Sequence, residues 1–285
     1  INRMLIIGDG ETESVLADDM EVGGDMGRLL VIKGSVDNDH IYVDGRTGHI
    51  RVIGGALNSH VESQNGLESV VVVGGDVSGG PIWTGGEFGR IYVSGGDLNT
   101  DITSRGADIG RVMVFRGRSA AGDWAGGNIH GDVNAGVNID LLYARGGDVN
   151  GAINAVVGTL GRMIVATAMD SGDGTVIGGQ INGSVSAGQV GRIQSFGGIT
   201  ADGDITAKGD IDYLHVAGGG IAANVQAGEG SEAPGEGHIG RILIHGGLRG
   251  DVVADDGLFY LSSRGDVSGE VNVTGDLDHL RVFDG

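Results

Sequence analysis

The chain contains no cysteine, so no disulfide holds the fold and a cysteine-based zinc site is excluded, although this does not fix the compartment. Proline occurs twice. That rules out a collagen-type helix in spite of 60 glycines, because that helix needs glycine at every third position and abundant proline. Lysine occurs only at Lys33 and Lys208, and the formal net charge is −20. Such a field repels phosphate backbones and anionic lipid, so no nucleic-acid partner is expected. No apolar run approaches the ~18 residues of a membrane-spanning helix, so no membrane insertion is expected either. No secretion signal is present, and the chain opens on Ile1. It reads as a mature or excised piece of something longer, for which a missing signal is no argument against export.

What is present is glycine and order. Hydrophobic residues make up 40% of the 285 positions and recur in short alternating runs, which argues against simple disorder. One phrase returns: "DIGRVMVFRG" from Asp108, "TLGRMIV" from Thr159, "QVGRIQS" from Gln189 and "HIGRILI" from His238. The aliphatic residue after the Gly-Arg pair defines a series: Met4, Leu29, Ile50, Val70, Ile91, Val112, Leu142, Met163, Ile193, Leu214, Ile242, Leu261 and Leu280. The period is 19–21 residues, with four longer units.

Each unit reads as three short strands. The first carries three inward apolar positions, such as Ile109, Val112 and Val114. A glycine pair follows, as in "GGDV" from Gly74, and then a tiny second strand with one inward aliphatic, such as Val77, Leu98 or Val149. The third strand is an aliphatic-x-small pattern, as in Ile102/Ser104, Ile153/Ala155 and Val225/Ala227. Period-two alternation sends one side chain in and the next out. Glycine and asparagine serve the sharp corners. One such coil cannot bury its own face, but stacked copies can. The fold class that follows is all-β: a single-stranded parallel β-helix of 12–13 coils with loop insertions, one domain over residues 1–285. At ~4.8 Å per coil the rod is on the order of 60 Å long. The right-handed form is expected, because coil length varies and long loops are tolerated.

These glycine-rich coils, with their "GGDV-x-G-x-I-x-A" phrases, resemble exported bacterial β-helices: filamentous-haemagglutinin-type adhesins, autotransporter passengers and very large surface repeat proteins. The resemblance spans almost the whole chain and is architectural. It implies an extracellular or cell-surface location and transfers no catalytic residue.

Outward positions can be read as columns. The residue before the anchor is most often arginine: Arg3, Arg28, Arg90, Arg111, Arg162, Arg192 and Arg241. Either these guanidinium groups form a ladder for an acidic glycan, or each lies over glycine backbone and pairs with a nearby aspartate. The strongly negative charge favours the second. The next two outward columns of the first strand are apolar where water is expected: Leu5/Ile7, Leu30/Ile32, Val71/Val73, Met113/Phe115, with Tyr92, Tyr143, Ile164 and Phe196. Strands apolar on both faces are usually covered on both. This face is therefore expected to meet another subunit, a neighbouring domain or the chain's own insertions.

Insertions are expected near residues 8–24, 118–127, 167–178 and 228–237. Trp124 is the best candidate for stacking on a sugar and Trp83 the second, with an aromatic cover over the apolar face as the competing reading. No cofactor is implied. Calcium is the most plausible ion, with Asp170 and Asp173 in "DSGDG" or Asp37 and Asp39 in "DNDH" as donors. Neither stretch has EF-hand spacing. The eight histidines show no close paired spacing on one element, which makes zinc a weaker candidate. Polysaccharide lyases and hydrolases also use β-helices. However, the adjacent carboxylates Asp18/Asp19 and Asp255/Asp256 lie in turns at opposite ends of the chain, so no enzyme is expected. Neither terminal unit carries a polar cap, so the ends are expected to be continued by a longer solenoid or covered by neighbours. The reading is a non-catalytic extracellular scaffold that self-assembles into a layer or filament. A carbohydrate-binding adhesin is the alternative.

Overall fold

The computed structural model describes residues 1–8, 14–16, 18–169, 175–230 and 236–283. The protein is an all-β solenoid of about 12 turns built from stacked parallel strands, and no helix occurs among the described residues. Three ladders run along the rod. The long one starts at Met4–Ile7 and continues through Met26–Ile32, Thr47–Ile53 and their equivalents to Asp276–Val282. In its register Met4 pairs with Leu29, Leu29 with Ile50, Ile50 with Val70, and so on to Leu261 with Leu280. Every step of the thirteen-residue anchor series is thus a pair of register partners in adjacent coils.

The second ladder is a row of one- and two-residue strands. It stacks Val36, Leu57, Val77, Leu98, Ile129, Val149, Ile181, Ile199, Ile221, Leu248 and Val267. The third stacks Met20, Ile41, Val61, Ile82, Ile102 and Val133, and continues to Val271. Inward side chains of all three ladders form one continuous hydrophobic core, in which Phe88 is the largest fully buried side chain. Each aliphatic residue rests on its counterpart in the next coil. Full burial of one such side chain is worth about 1.5–3 kcal/mol.

Two features explain the repeated Gly-Arg phrase. First, the long strand breaks its in-out alternation. Ile109 and Val112 are both buried, while Gly110 and Arg111 between them both face out. Adjacent coils carry the same two-residue step, so the ladder stays in register across it. Second, the coils approach closely there. A Cβ on Gly110 would lie 2.4 Å from the carbonyl oxygen of Gly89, and one on Gly89 would lie 2.4 Å from that of Glu68. Other coils carry Glu68, Asp140 and Asp212 at the same place, so the tightness belongs to particular pairs of coils.

The corners account for much of the acidic composition. At many corners an Asp or Asn precedes the next inward aliphatic, and its Oδ1 accepts the backbone N–H of the equivalent residue one coil later. One corner runs from Asp76 to Asp97 (2.7 Å), Asn128 (2.8 Å), Asp148 (2.9 Å) and Gln180 (2.9 Å). The next includes Asp101 to Asp132 (2.9 Å) and Asp132 to Ala152 (2.7 Å). The third includes Asp108 to Asn138 (3.0 Å) and Asn138 to Thr159 (2.8 Å). Backbone donors at a corner have no strand partner, and these side chains satisfy them.

Candidate functional site

The outer face of the long ladder positions the candidate surface. Its two columns are in register: Tyr92, Met113, Tyr143 and Ile164 in one, Val73, Ser94, Phe115, Arg145 and Ala166 in the other. The face is half-buried along most of its length. Leu30 is 7% exposed, whereas Ile7 is 65% and Phe196 40% exposed, and Leu5 is exposed as well. Ile32, Val71, Val73, Met113 and Ile164 are intermediate. Much of that partial cover comes from neighbours in the same ladder. The Phe115 ring lies 5.2 Å from Tyr92 and 5.2 Å from Tyr143, a run of three aromatic rings across three coils. Such contacts are worth ~0.5–1.5 kcal/mol beyond area burial. Further along, a hollow of about 650 Å³ is lined by Leu243, Ile244, His245, Tyr260, Ser262, Arg264 and Phe283.

Two insertions border this face. Gly117–Arg118 and Trp124–Ala125 pair as a short antiparallel hairpin, whose Ala120 N–H donates to the Gly74 carbonyl two coils back (2.7 Å). Ala168–Met169 and Val176–Ile177 form a second hairpin. Both leave the same corner. A Cβ on Gly146 would meet the side chains of Arg116 (2.7 Å) and Ala168 (2.9 Å). Their described strands add exposed apolar groups: Trp124, Met169 and Val176. Of the other insertions, residues 9–13 and 231–235 lie outside the described residues.

The two tryptophans occupy different faces. Trp83 is half-buried on the third ladder, and the Arg105 guanidinium sits 4.1 Å above its ring. That cation–π contact occupies one side of the ring. Trp124 is 47% exposed, with Arg118 5.7 Å from its ring centre. It is the more accessible stacking surface.

The arginine column differs from the paired arrangement expected for it. Among the described residues none of these arginines makes an ion pair within 4.0 Å; the ion pairs present are Arg46–Glu68, His49–Glu68 and His40–Glu62. The corner aspartates instead accept backbone N–H groups of the next coil. Arg192 lies 4.7 Å over Tyr213, and Arg241 lies 5.5 Å over Tyr260. Arg90 and Arg111 are register neighbours, as are Arg162 and Arg192.

Of the proposed calcium donors, Asp170 and Asp173 lie outside the described residues. Asp37 accepts a hydrogen bond from Asn58 Nδ2 (3.2 Å), and the Asp39 carbonyl accepts the His60 N–H (3.3 Å). Neither belongs to a converging group of three acidic or imidazole side chains among the described residues. Among the described residues one trio of metal-competent side chains converges, His40, His60 and Glu62. Scanning along single elements misses it, because its histidines stand one coil apart. Aligning coils finds it, since His40 and His60 are register partners.

A groove of about 590 Å³ follows the short-strand face. Gly197, Gly198, Gly219, Gly220 and Gly247 form much of its lining, with Arg249 and Asp266 among the polar groups. No protein-family model, curated protein or solved structure matches the chain, so its reading rests on the geometry above.

Proposed function

We propose that the protein is a non-catalytic scaffold of an extracellular or bacterial-surface layer, and that it packs laterally through the outer face of its long ladder. The observation that carries this reading is the ladder itself. Tyr92, Met113, Phe115, Tyr143 and Ile164 face outward in register, and Leu5, Ile7 and Phe196 on the same face are exposed. An apolar stripe bordered by polar corners fits a second copy of the same stripe. The architectural resemblance to exported β-helices supports the location.

The test compares wild type with Phe115→Asp and Met113→Asp by sedimentation velocity over a range of concentrations, with circular dichroism to check the fold. Concentration-dependent association in the wild type that both variants lose supports lateral packing. A wild type that stays monomeric at high concentration, or variants that still assemble, overturns it. The accessible Trp124 supports a second reading, a carbohydrate-binding module. A monomeric protein that retains glycans on an array, and loses them in Trp124→Ala, decides for that reading.

A further inference from the structure

On the outer side of the third ladder, two imidazoles and a carboxylate are brought together by the coil repeat. His40 pairs in register with His60, and Glu62 follows two residues after His60 on the same outward side. The imidazole rings lie 4.6 Å apart between centres, tilted by 36°. His40 Nε2 is 3.7 Å from Glu62 Oε2, and one donor atom from each of the three residues lies within 4.8 Å of the others. The Nε2 atoms of both histidines are shielded from solvent and have no hydrogen-bond partner. An orphaned, buried ring nitrogen is costly, and two of them beside one carboxylate need a common explanation.

We propose that His40, His60 and Glu62 bind a divalent transition-metal ion of the zinc class. Two neutral imidazole nitrogens and one carboxylate oxygen form a donor set that zinc commonly takes, with an open fourth position for water. Ligands at ~2.0–2.2 Å from a tetrahedral ion stand roughly 3.4 Å apart, so the 3.7 Å leg is close to bound geometry and side-chain rotation closes the rest.

The surroundings fit this role. Asp19 Oδ1 accepts the His40 N–H at 2.9 Å, and Ser59 Oγ donates to the His60 carbonyl at 3.1 Å, which fixes both backbones. Gln64 Nε2 donates to Glu62 Oε1 at 2.6 Å and leaves Oε2 toward His40. Such outer partners orient metal ligands. Tyr42 and Trp83 flank Glu62 in register and give the trio aromatic walls. The next coil makes room as well, because a Cβ on Gly80 would fall 2.9 Å from that of His60.

The experiment uses the chain without a histidine tag, stripped with EDTA and titrated with ZnCl2 by calorimetry. Co²⁺ serves as the visible-absorbance probe of coordination. One Zn²⁺ per chain is expected. His60→Asn and Glu62→Gln should each weaken binding by at least ~100-fold, since even outer-shell changes at metal sites cost up to that much. His215→Asn, in a different histidine pair, should bind as wild type does. Glu62→Gln is nearly isosteric and keeps the readout usable if a histidine variant folds poorly. No zinc uptake by the wild type, or uptake that is the same in His40→Asn, His60→Asn and Glu62→Gln, overturns the assignment.

Discussion

If the corner aspartates serve as acceptors rather than as charges, replacing one should separate the two roles. Asp97 is the best place to test this. Its Oδ1 accepts both the backbone N–H of Asn128 (2.8 Å) and the Asn128 side-chain Nδ2 (3.0 Å). Asp97→Ala removes both bonds and strands a backbone donor at a part-buried corner. Hydrogen bonds to charged groups contribute ~1.5–3 kcal/mol, and partial exposure places this loss at about 2 kcal/mol. With a urea m-value of ~3 kcal/mol/M, the unfolding midpoint falls by about 0.7 M. Asp97→Asn keeps the acceptor and drops the charge. One coil later Asn128 already does the same work, accepting the Asp148 N–H at 2.9 Å. The Asn variant is therefore expected within ~0.5 kcal/mol of wild type, and removal of a carboxylate stacked beside Asp76 favours the stabilising side. Urea titrations followed by circular dichroism, with m-values compared, decide the matter. An Asn variant as unstable as the Ala variant would refute the reasoning, because negative charge would then be what the corner needs.

Other outcomes follow from the same geometry. Gly110→Ala places a Cβ 2.4 Å from a backbone oxygen and should cost about 1–3 kcal/mol in thermal or urea unfolding. Gly106→Ala meets nothing within 4 Å but must adopt φ +73°, so its smaller cost, about 1–2 kcal/mol, comes from backbone conformation alone. Ile91→Ala empties a fully buried site and should lose about 2–5 kcal/mol by the same assay. Burial, as the largest cause, lowers the affinity of His60 and of His215 for protons in the folded state. The unfolded chain then binds more protons below the ordinary histidine value. Stability should be full above that pH and decline as pH falls through it, a decline that a His60→Asn/His215→Asn double variant should blunt in unfolding midpoints measured from pH 7.5 to 5.5.

The solenoid was legible because its signal lies along the chain. Inward aliphatic residues recur at a fixed interval, and burial in stacked coils demands that interval, so each anchor pairs with the next in the series. Features that depend on the axial direction were harder to see. The corner acceptors are written as an Asp or Asn before many of the inward aliphatics, in "GGDV" and "GDI" phrases, but their use shows only when one coil is laid on the next. The same holds for the histidine pair, whose twenty-residue spacing looks like scatter until it is recognised as one coil. The arginine column was expected to find aspartate partners, yet those carboxylates are held by backbone N–H groups and the arginines are left over tyrosine rings or solvent. The insertions carry no period, so their hairpin form and their course beside the long face could not be read from spacing.

The corner ladders also have a direction. Backbone bonds between coils run both ways, but every corner carboxylate or amide named above belongs to the earlier coil and its donor to the later one. A chain that folds N-terminus first therefore meets these acceptors already in place; the coil carrying Asp97, Asp101 and Asp108 presents three of them to the next turn of backbone. Growth in the opposite order would lay down donors with nothing to receive them. The molecule carries an arrow of construction along its axis, and it points the way a ribosome delivers a polypeptide.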